Sequence, residues 1–155
     1  MEIKLRYYSA ADINSIIELF RGTVHAVNKK DYTEAQLNAW APQNIPAEKW
    51  NQKLLSHYTI VAECNGQLCG FGDIDVTGYF DHLFVHKDYQ GCGVATKIVT
   101  AIETRALEQD NKRITVNVSI TAKTFFLKQG YSIIKEQSVV HNGETFTNYA
   151  MEKLI

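Results

Sequence analysis

The chain has 155 residues, 45% hydrophobic and 21% charged, which fits a single globular domain with its own core. A net charge of −1 argues against a general basic field for nucleic acid, and no apolar run approaches the roughly 20 residues of a membrane-spanning helix. Three cysteines, Cys64, Cys69 and Cys92, lack metal-like spacing, and the stretch MEIKLRYYSAAD lacks a signal-peptide layout, so reduced thiols in a cytoplasmic protein are expected, with a Cys64–Cys69 disulfide the lesser expectation.

Ile3–Tyr7 reads as a short first strand. Ala10–Val27 follows, with Ile13, Ile16, Ile17, Phe20 and Val24 at helical spacing and Ser9 as a cap. Thr33–Ala41 opens with Thr-x-x-Gln, a capping-box pattern, and Pro46 starts a further helix over Ala47–Leu55. The period then changes. Tyr58–Cys64 and Gln67–Val76 are two strands joined by Asn65-Gly66, a pair that tolerates the positive φ a tight hairpin needs. Tyr79–Val85 is another strand, after a turn at Thr77-Gly78. Val94–Glu108 is an amphipathic helix, Arg113–Val118 a strand, and Thr121–Gln129 a short helix closed by Gly130. Tyr131–Gln137 and Glu144–Lys153 end the chain as two strands around Asn142-Gly143. Antiparallel hairpins thus flank one β-α-β crossover, which predicts a mixed α/β fold with helices on the faces of one sheet.

The segment DYQGCGVATKI places two glycines one residue apart directly before a helix. Such a turn exposes backbone N–H groups at a helix N-terminus and invites a phosphate. A P-loop is excluded because Gly-x-x-x-x-Gly-Lys-Ser/Thr is absent. The Rossmann fingerprint begins with Gly91-x-Gly93 but has Thr96 at its sixth position, and Arg113–Val118 runs into Ser119 rather than an acid for a ribose.

The wider window, DHLFVHKDYQGCGVATKIVTAIE, resembles the cofactor motif of the GNAT superfamily of N-acetyltransferases: a strand ending at Val85, a loop, Gln90-Gly91-Cys92-Gly93-Val94-Ala95, then a helix. TAKTFFLKQGY resembles that family's later helix–glycine–aromatic segment, and the element order matches from Met1 to Ile155. The resemblance implies one acetyltransferase domain over 1–155, built on a central, largely antiparallel sheet of about seven strands flanked by helices. It implies acetyl-CoA as co-substrate, its pyrophosphate cradled by the N–H groups of Gly91 to Thr96 and its pantetheine arm running along Leu83, Phe84 and Val85. The N–H of Phe84 or Val85 would meet the tetrahedral oxyanion.

An amine with pKa near 10.4 is mostly charged at neutral pH, so a base is useful. Strand alternation puts Tyr79, Asp81, Leu83 and Val85 on one face and Phe80, His82 and Phe84 on the other. Family bases often sit on this strand on the Asp81 face, which makes Asp81 the first candidate; His82 is better tuned in pKa but points away unless a bulge swaps the parity. Where many relatives carry an asparagine and a proton-donating tyrosine, this chain aligns Ser119 and Phe126. Phenylalanine donates no proton, so Tyr149 or water is the expected substitute; Phe126 then packs against cofactor or core. On the acceptor side Trp40, Trp50, Tyr32 and His25 are candidate wall residues, and Asp31, Glu34 and Glu48 candidate attractants for a cationic amine. The expected partner is a small-molecule or protein amine, with no nucleic acid, membrane or metal, and a homodimer is left open. The alternative is a non-catalytic acyl-CoA-binding module.

Overall fold

The computed structural model describes all residues, Met1–Ile155. Seven strands form one sheet: β1 (Ile3–Tyr7), β2 (Tyr58–Cys64), β3 (Gln67–Ile74), β4 (Tyr79–Val85), β5 (Arg113–Ser119), β6 (Ser132–His141) and β7 (Glu144–Leu154). Their order is β1-β2-β3-β4-β5-β7-β6, and only β4 and β5 run parallel. Helices α1 (Ile13–Val27), α2 (Glu34–Trp40) and α3 (Ala47–Ser56) cover one face; α4 (Val94–Glu108) and α5 (Lys123–Lys128) cover the other. No helix is long and apolar enough to cross a membrane.

Local chemistry sets most element ends. Thr33 Oγ1 accepts from Gln36 N at 3.2 Å while Gln36 Oε1 accepts from Thr33 N at 2.8 Å, the reciprocal cap its sequence predicts. Before α1, Ala10–Asp12 form a tight 3-10 turn rather than α-helix. The Asp12 carboxylate is drawn back to Ser9 N and clamped by Arg6 at 2.8 and 2.9 Å. Strand β3 stops at Ile74, short of the expected Val76, because Asp75 Oδ1 captures the N–H groups of Thr77 and Tyr79 and turns the chain. Asn65 and Gly66, and Asn142 and Gly143, all have positive φ. The second pair lets the β6–β7 hairpin zip to His141 opposite Glu144, longer than its predicted strands. After α5, Tyr131 N bonds to Phe126 O and Gly130 N to Leu127 O, closing the helix around Gly130.

One expectation is overturned. Cys64 and Cys69 are not reduced thiols but a disulfide, both sulfurs buried, with Cα atoms 5.9 Å apart. The register of the β2–β3 hairpin slips beside Ala62, so Cys69 is the extra residue of a bulge. That bulge keeps Cys69 on the α4 face, where Cys64 already points. Cys92 remains free and exposed.

Gly70 and Gly72 of β3 form a bare lane under α4. A Cβ at Gly72 would lie 2.8 Å from Ile98 Cγ2 and 3.0 Å from His82 O, and one at Gly70 would lie 2.8 Å from Val94 Cγ1. Helix α4 therefore settles onto backbone, which fixes the position of its N-terminus. Gly72→Ala is expected to lower stability by about 1–3 kcal/mol through overpacking, read as a drop in the urea midpoint at unchanged m value.

Candidate functional site

Strands β4 and β5 pair only at Tyr79↔Thr115 and Phe80↔Val116, then diverge. The gap opens into a cleft of about 770 Å³ reaching from β4 and β5 to α2 and α3. Beyond the end of β4, outside the cleft lining, stands the N-terminus of α4. Gly91 and Gly93 have φ of 70° and 88°, and the N–H groups from Gly91 to Thr96 donate to no protein acceptor. A Cβ on either glycine would meet open space. Six unsatisfied donors at the start of a fifteen-residue helix make a ready anion cradle. Of the motif's side chains, Gln90 turns inward: its Nε2 donates to Val85 O at 2.7 Å and ties the loop to the strand end. Val94 is buried against the glycine lane and offers only its N–H.

The register of β4 decides what faces the cleft. Asp73 opposes His82 while Ile74 opposes Phe80, so Asp81 is the extra residue of a bulge. Phe80 therefore packs under α4, whereas His82 and Phe84 lie on the α1–α3 face, stacked near Phe71 and Trp50. Simple alternation had set Asp81 and His82 apart; the bulge brings both into the cleft, with His82 Nδ1 3.8 Å from Asp81 Oδ2. Asp81 also pairs with Lys53 Nζ at 3.2 Å. The hydrogen-bond phase shifts too. His86 N donates to Cys69 O, so alternation aims the backbone of Phe84 at β3 and that of Leu83 and Val85 into the gap. Of the two oxyanion candidates, only Val85 thus has its N–H on the open edge.

Two residues that the sequence reading passed over complete the site. Asp73, fully buried, receives His57 Nδ1 on Oδ2 at 2.8 Å, and both His82 Nδ1 (2.9 Å) and His82 N (3.0 Å) on Oδ1. The available signal was parity: Asp73 shares the core-facing parity of Phe71 in a strand otherwise without polar side chains from Leu68 on, where an acid needs a partner. Burial pushes the Asp73 carboxyl up, but the two imidazoles outweigh it and hold it below the ordinary value. His57 is raised by its hydrogen bond to Asp73 against desolvation. For His82 burial pulls downward, and Asp73 together with Asp81 reverses it to a raised value. Ligand atoms of His57, Asp73 and Asp81 lie within 4.8 Å of one another, but the Asp73 oxygens are already engaged by the imidazoles and Asp81 by Lys53, so the set is an ion-pair network rather than a metal centre.

The remaining candidates fall apart in space. Phe126 is buried against Phe80 and Tyr131 and touches the cleft with its ring only. Ser119 Oγ accepts from Ala122 N at 3.1 Å. Tyr149 pairs with Val118 and lies under the Lys123 ammonium, 4.6 Å from its ring centre, outside the cleft lining; the phenol on that lining near Asp81 is Tyr79. Trp40, Trp50 and Tyr32 do wall the cleft, in edge contact with Phe20 and Phe146. His25 does not: its Nε2 meets Ala41 O at 2.9 Å beside a separate polar hollow. Asp31 is held by Thr121, and Glu34 and Glu48 are exposed away from the lining.

Residues 28–153 match the family model described as an acetyltransferase (GNAT) domain. The uncharacterized N-acetyltransferase YafP of Escherichia coli (strain K12) is 33% identical over 149 residues, 96% of this chain and 94% of that protein. A GCN5-related N-acetyltransferase from Rhodopseudomonas palustris superposes with a TM-score of 0.96 at 30% identity, over 100% of this chain and 97% of that one. The PaiA N-acetyltransferase of Thermoplasma acidophilum, solved in complex with coenzyme A, has the same fold, with a TM-score of 0.84 at 17% identity over the full length of both chains.

The charged cluster has a pH signature. Raised histidines stabilise the fold fully below their unfolded value of about 6.5 and lose that contribution as pH rises through the folded values. Depressed Asp73 contributes above its unfolded value of about 3.9 and loses its contribution as pH falls through the folded one. Thermal melts should therefore show a stability term that declines from about pH 6.5 upward; His57→Gln should flatten that decline relative to wild type.

Proposed function

We propose that this chain, which belongs to the GNAT acetyltransferase family, moves the acetyl group of acetyl-CoA onto a primary amine by direct attack in a ternary complex. The observation that carries the reading is that β4, once it has left β5, presents an open edge and a cleft-facing imidazole and runs on to an unsatisfied N–H cradle that Gln90 ties to its end. The cradle of Gly91 to Thr96 would hold the pyrophosphate, and Leu83–Val85 would hydrogen-bond the pantetheine arm as an added strand does. Val85 N–H would face the thioester oxygen as it becomes an oxyanion.

His82 is the base. Its Nδ1 is engaged by Asp73, its Nε2 has no protein partner, and its ring lines the cleft. The neutral imidazole takes a proton as the amine nitrogen attacks; the C–N bond forms and the C–S bond breaks. Asp81 and Lys53 flank the imidazole rather than replace it. Phe126 supplies no acid. A thiol pKa of about 8.5 sets the penalty for releasing an unprotonated thiolate at pH 7 at about 2 kcal/mol, which the chemistry tolerates.

The acceptor side narrows the amine. Most of its lining is apolar or aromatic, and Asp81, already paired with Lys53, is its one carboxylate. That suits a small amine with a single charge on a flat apolar body better than a polycation.

Calorimetric titration is expected to show saturable binding of acetyl-CoA and none of NAD, with Gly91→Ala weakening it on the order of tenfold or more. CoA release with 2-phenylethylamine is expected to exceed that with spermidine in kcat/KM by on the order of tenfold. His82→Ala should lower kcat by about 10²-fold or more. Acetyl-CoA binding without CoA release for any amine would instead favour the non-catalytic acyl-CoA-binding module, the reading that Phe126 at the acid position supports.

A further inference from the structure

Beyond the base itself lies a chain of three side chains, His57–Asp73–His82, buried at its centre. Asp73 is the only member with no exposure at all, and its carboxylate is saturated by two imidazole nitrogens and one backbone N–H. A buried carboxylate so paired is chemically committed: it accepts, and each imidazole Nδ1 must donate. We propose that Asp73 is a positioning residue, held from behind by His57, that locks His82 in its Nδ1–H tautomer and so presents a bare Nε2 to the acceptor amine. This rests on the acetyl-transfer reading above for its catalytic consequence, but its structural half stands on the hydrogen bonds alone.

Three features make the lock specific to His82. Its own backbone N–H binds the same Asp73 oxygen as its ring, so ring and main chain share one anchor. Trp50 and Phe71 flank the ring, with centroids 5.2 and 6.1 Å away, and limit its rotation. His57 occupies the other Asp73 oxygen, which prevents the carboxylate from turning. The charged and titratable groups facing this chain are Lys53 from α3, His57 from the end of that helix, Asp73 from β3, Asp75 from the following turn, and Tyr79 and Asp81 from β4. Of these only Asp73 contacts both imidazoles. An amide in its place keeps its oxygen toward His82, whose backbone N–H can only donate, and turns its NH2 to His57; an alanine leaves no acceptor at all and frees His82 to carry its proton on Nε2, where the amine must deliver its own.

The test has an arm that needs no turnover. Nitrogen-15 NMR of the imidazoles, recorded at a pH above their titration, is expected to give a protonated, exchange-protected Nδ1 and a pyridine-like Nε2 for His82. An Nε2–H tautomer would overturn the proposal whether or not the protein acetylates anything. With an acceptor amine in hand, Asp73→Ala is expected to lower kcat by about 10²-fold or more, and Asp73→Asn by clearly less. The KM for acetyl-CoA should stay within about threefold, and the acid limb of kcat/KM should move to lower pH. A merely structural Asp73 would lower the melting temperature and leave kcat and the acid limb in place, and that result refutes the assignment. Should Asp73→Ala not fold, His57 carries the same test. His57→Asn, whose amide can donate from the Nδ1 position, should retain most of kcat, whereas His57→Ala should lose about tenfold; equal loss in both variants, or none in either, counts against the lock.

Discussion

The site hangs on one inserted residue. Between the Asp73–His82 and Ile74–Phe80 pairs of the β3–β4 ladder, Asp81 has no partner, and the strand shifts its phase by one residue. Side chains beyond the bulge exchange faces, so His82 and Phe84 leave the α4 core that Phe80 enters. Backbone groups exchange edges as well, which points Leu83 and Val85 at the gap. The same local twist accompanies the separation of β4 from β5 after two residue pairs. A cleft-facing imidazole, a free Val85 N–H and an open strand edge are thus three consequences of a single register shift.

The bulge would be of little use without an anion site at the right distance. That distance is set by the close approach of α4 to Gly70 and Gly72, where its first turn rests on backbone. Gln90 then pins the intervening loop to Val85 O, an oxygen that also accepts from Thr23 Oγ1 of α1 at 2.9 Å. The loop before α4 and a helix on the opposite face therefore meet at one carbonyl, which couples the cradle on the α4 side to the aromatic wall on the other. Rigid elements, rather than a mobile loop, hold the parts that must be in register.

Electrostatically the cleft is nearly closed on itself. Asp73 answers two imidazoles and Asp81 answers a lysine, so little uncompensated negative charge is left to gather a polycation. The wall from Trp50 through Phe20 to Trp40, Tyr32 and Phe146 supplies apolar contact instead. Tyr32 also braces it, donating to Thr147 O at 3.0 Å and accepting from Ile120 N at 2.9 Å. Those bonds join the acceptor wall to the strand pair across the gap.

Much of this protein was legible in its residues alone. Periodicity, the Asn-Gly turns and the Thr33–Gln36 cap are local signals, and β1, β2, β4 and α4 fall at the limits they predict. The glycines before Val94 announced an anion cradle for the same reason: backbone conformation at a turn depends on neighbours a few residues away. Register is not local. Whether Asp81 is a bulge, whether Cys69 slips beside Cys64, and which face His82 takes depend on how strands distant in sequence align, and a one-residue slip inverts every side chain that follows. Asp73 was hidden for that reason: an acid within a strand reads as solvated until the tertiary structure buries it between His57 and His82, groups sixteen and nine residues away along the chain. Sequence sufficed for the elements and the glycine turn before α4; only long-range strand pairing decided which side chains share the cleft.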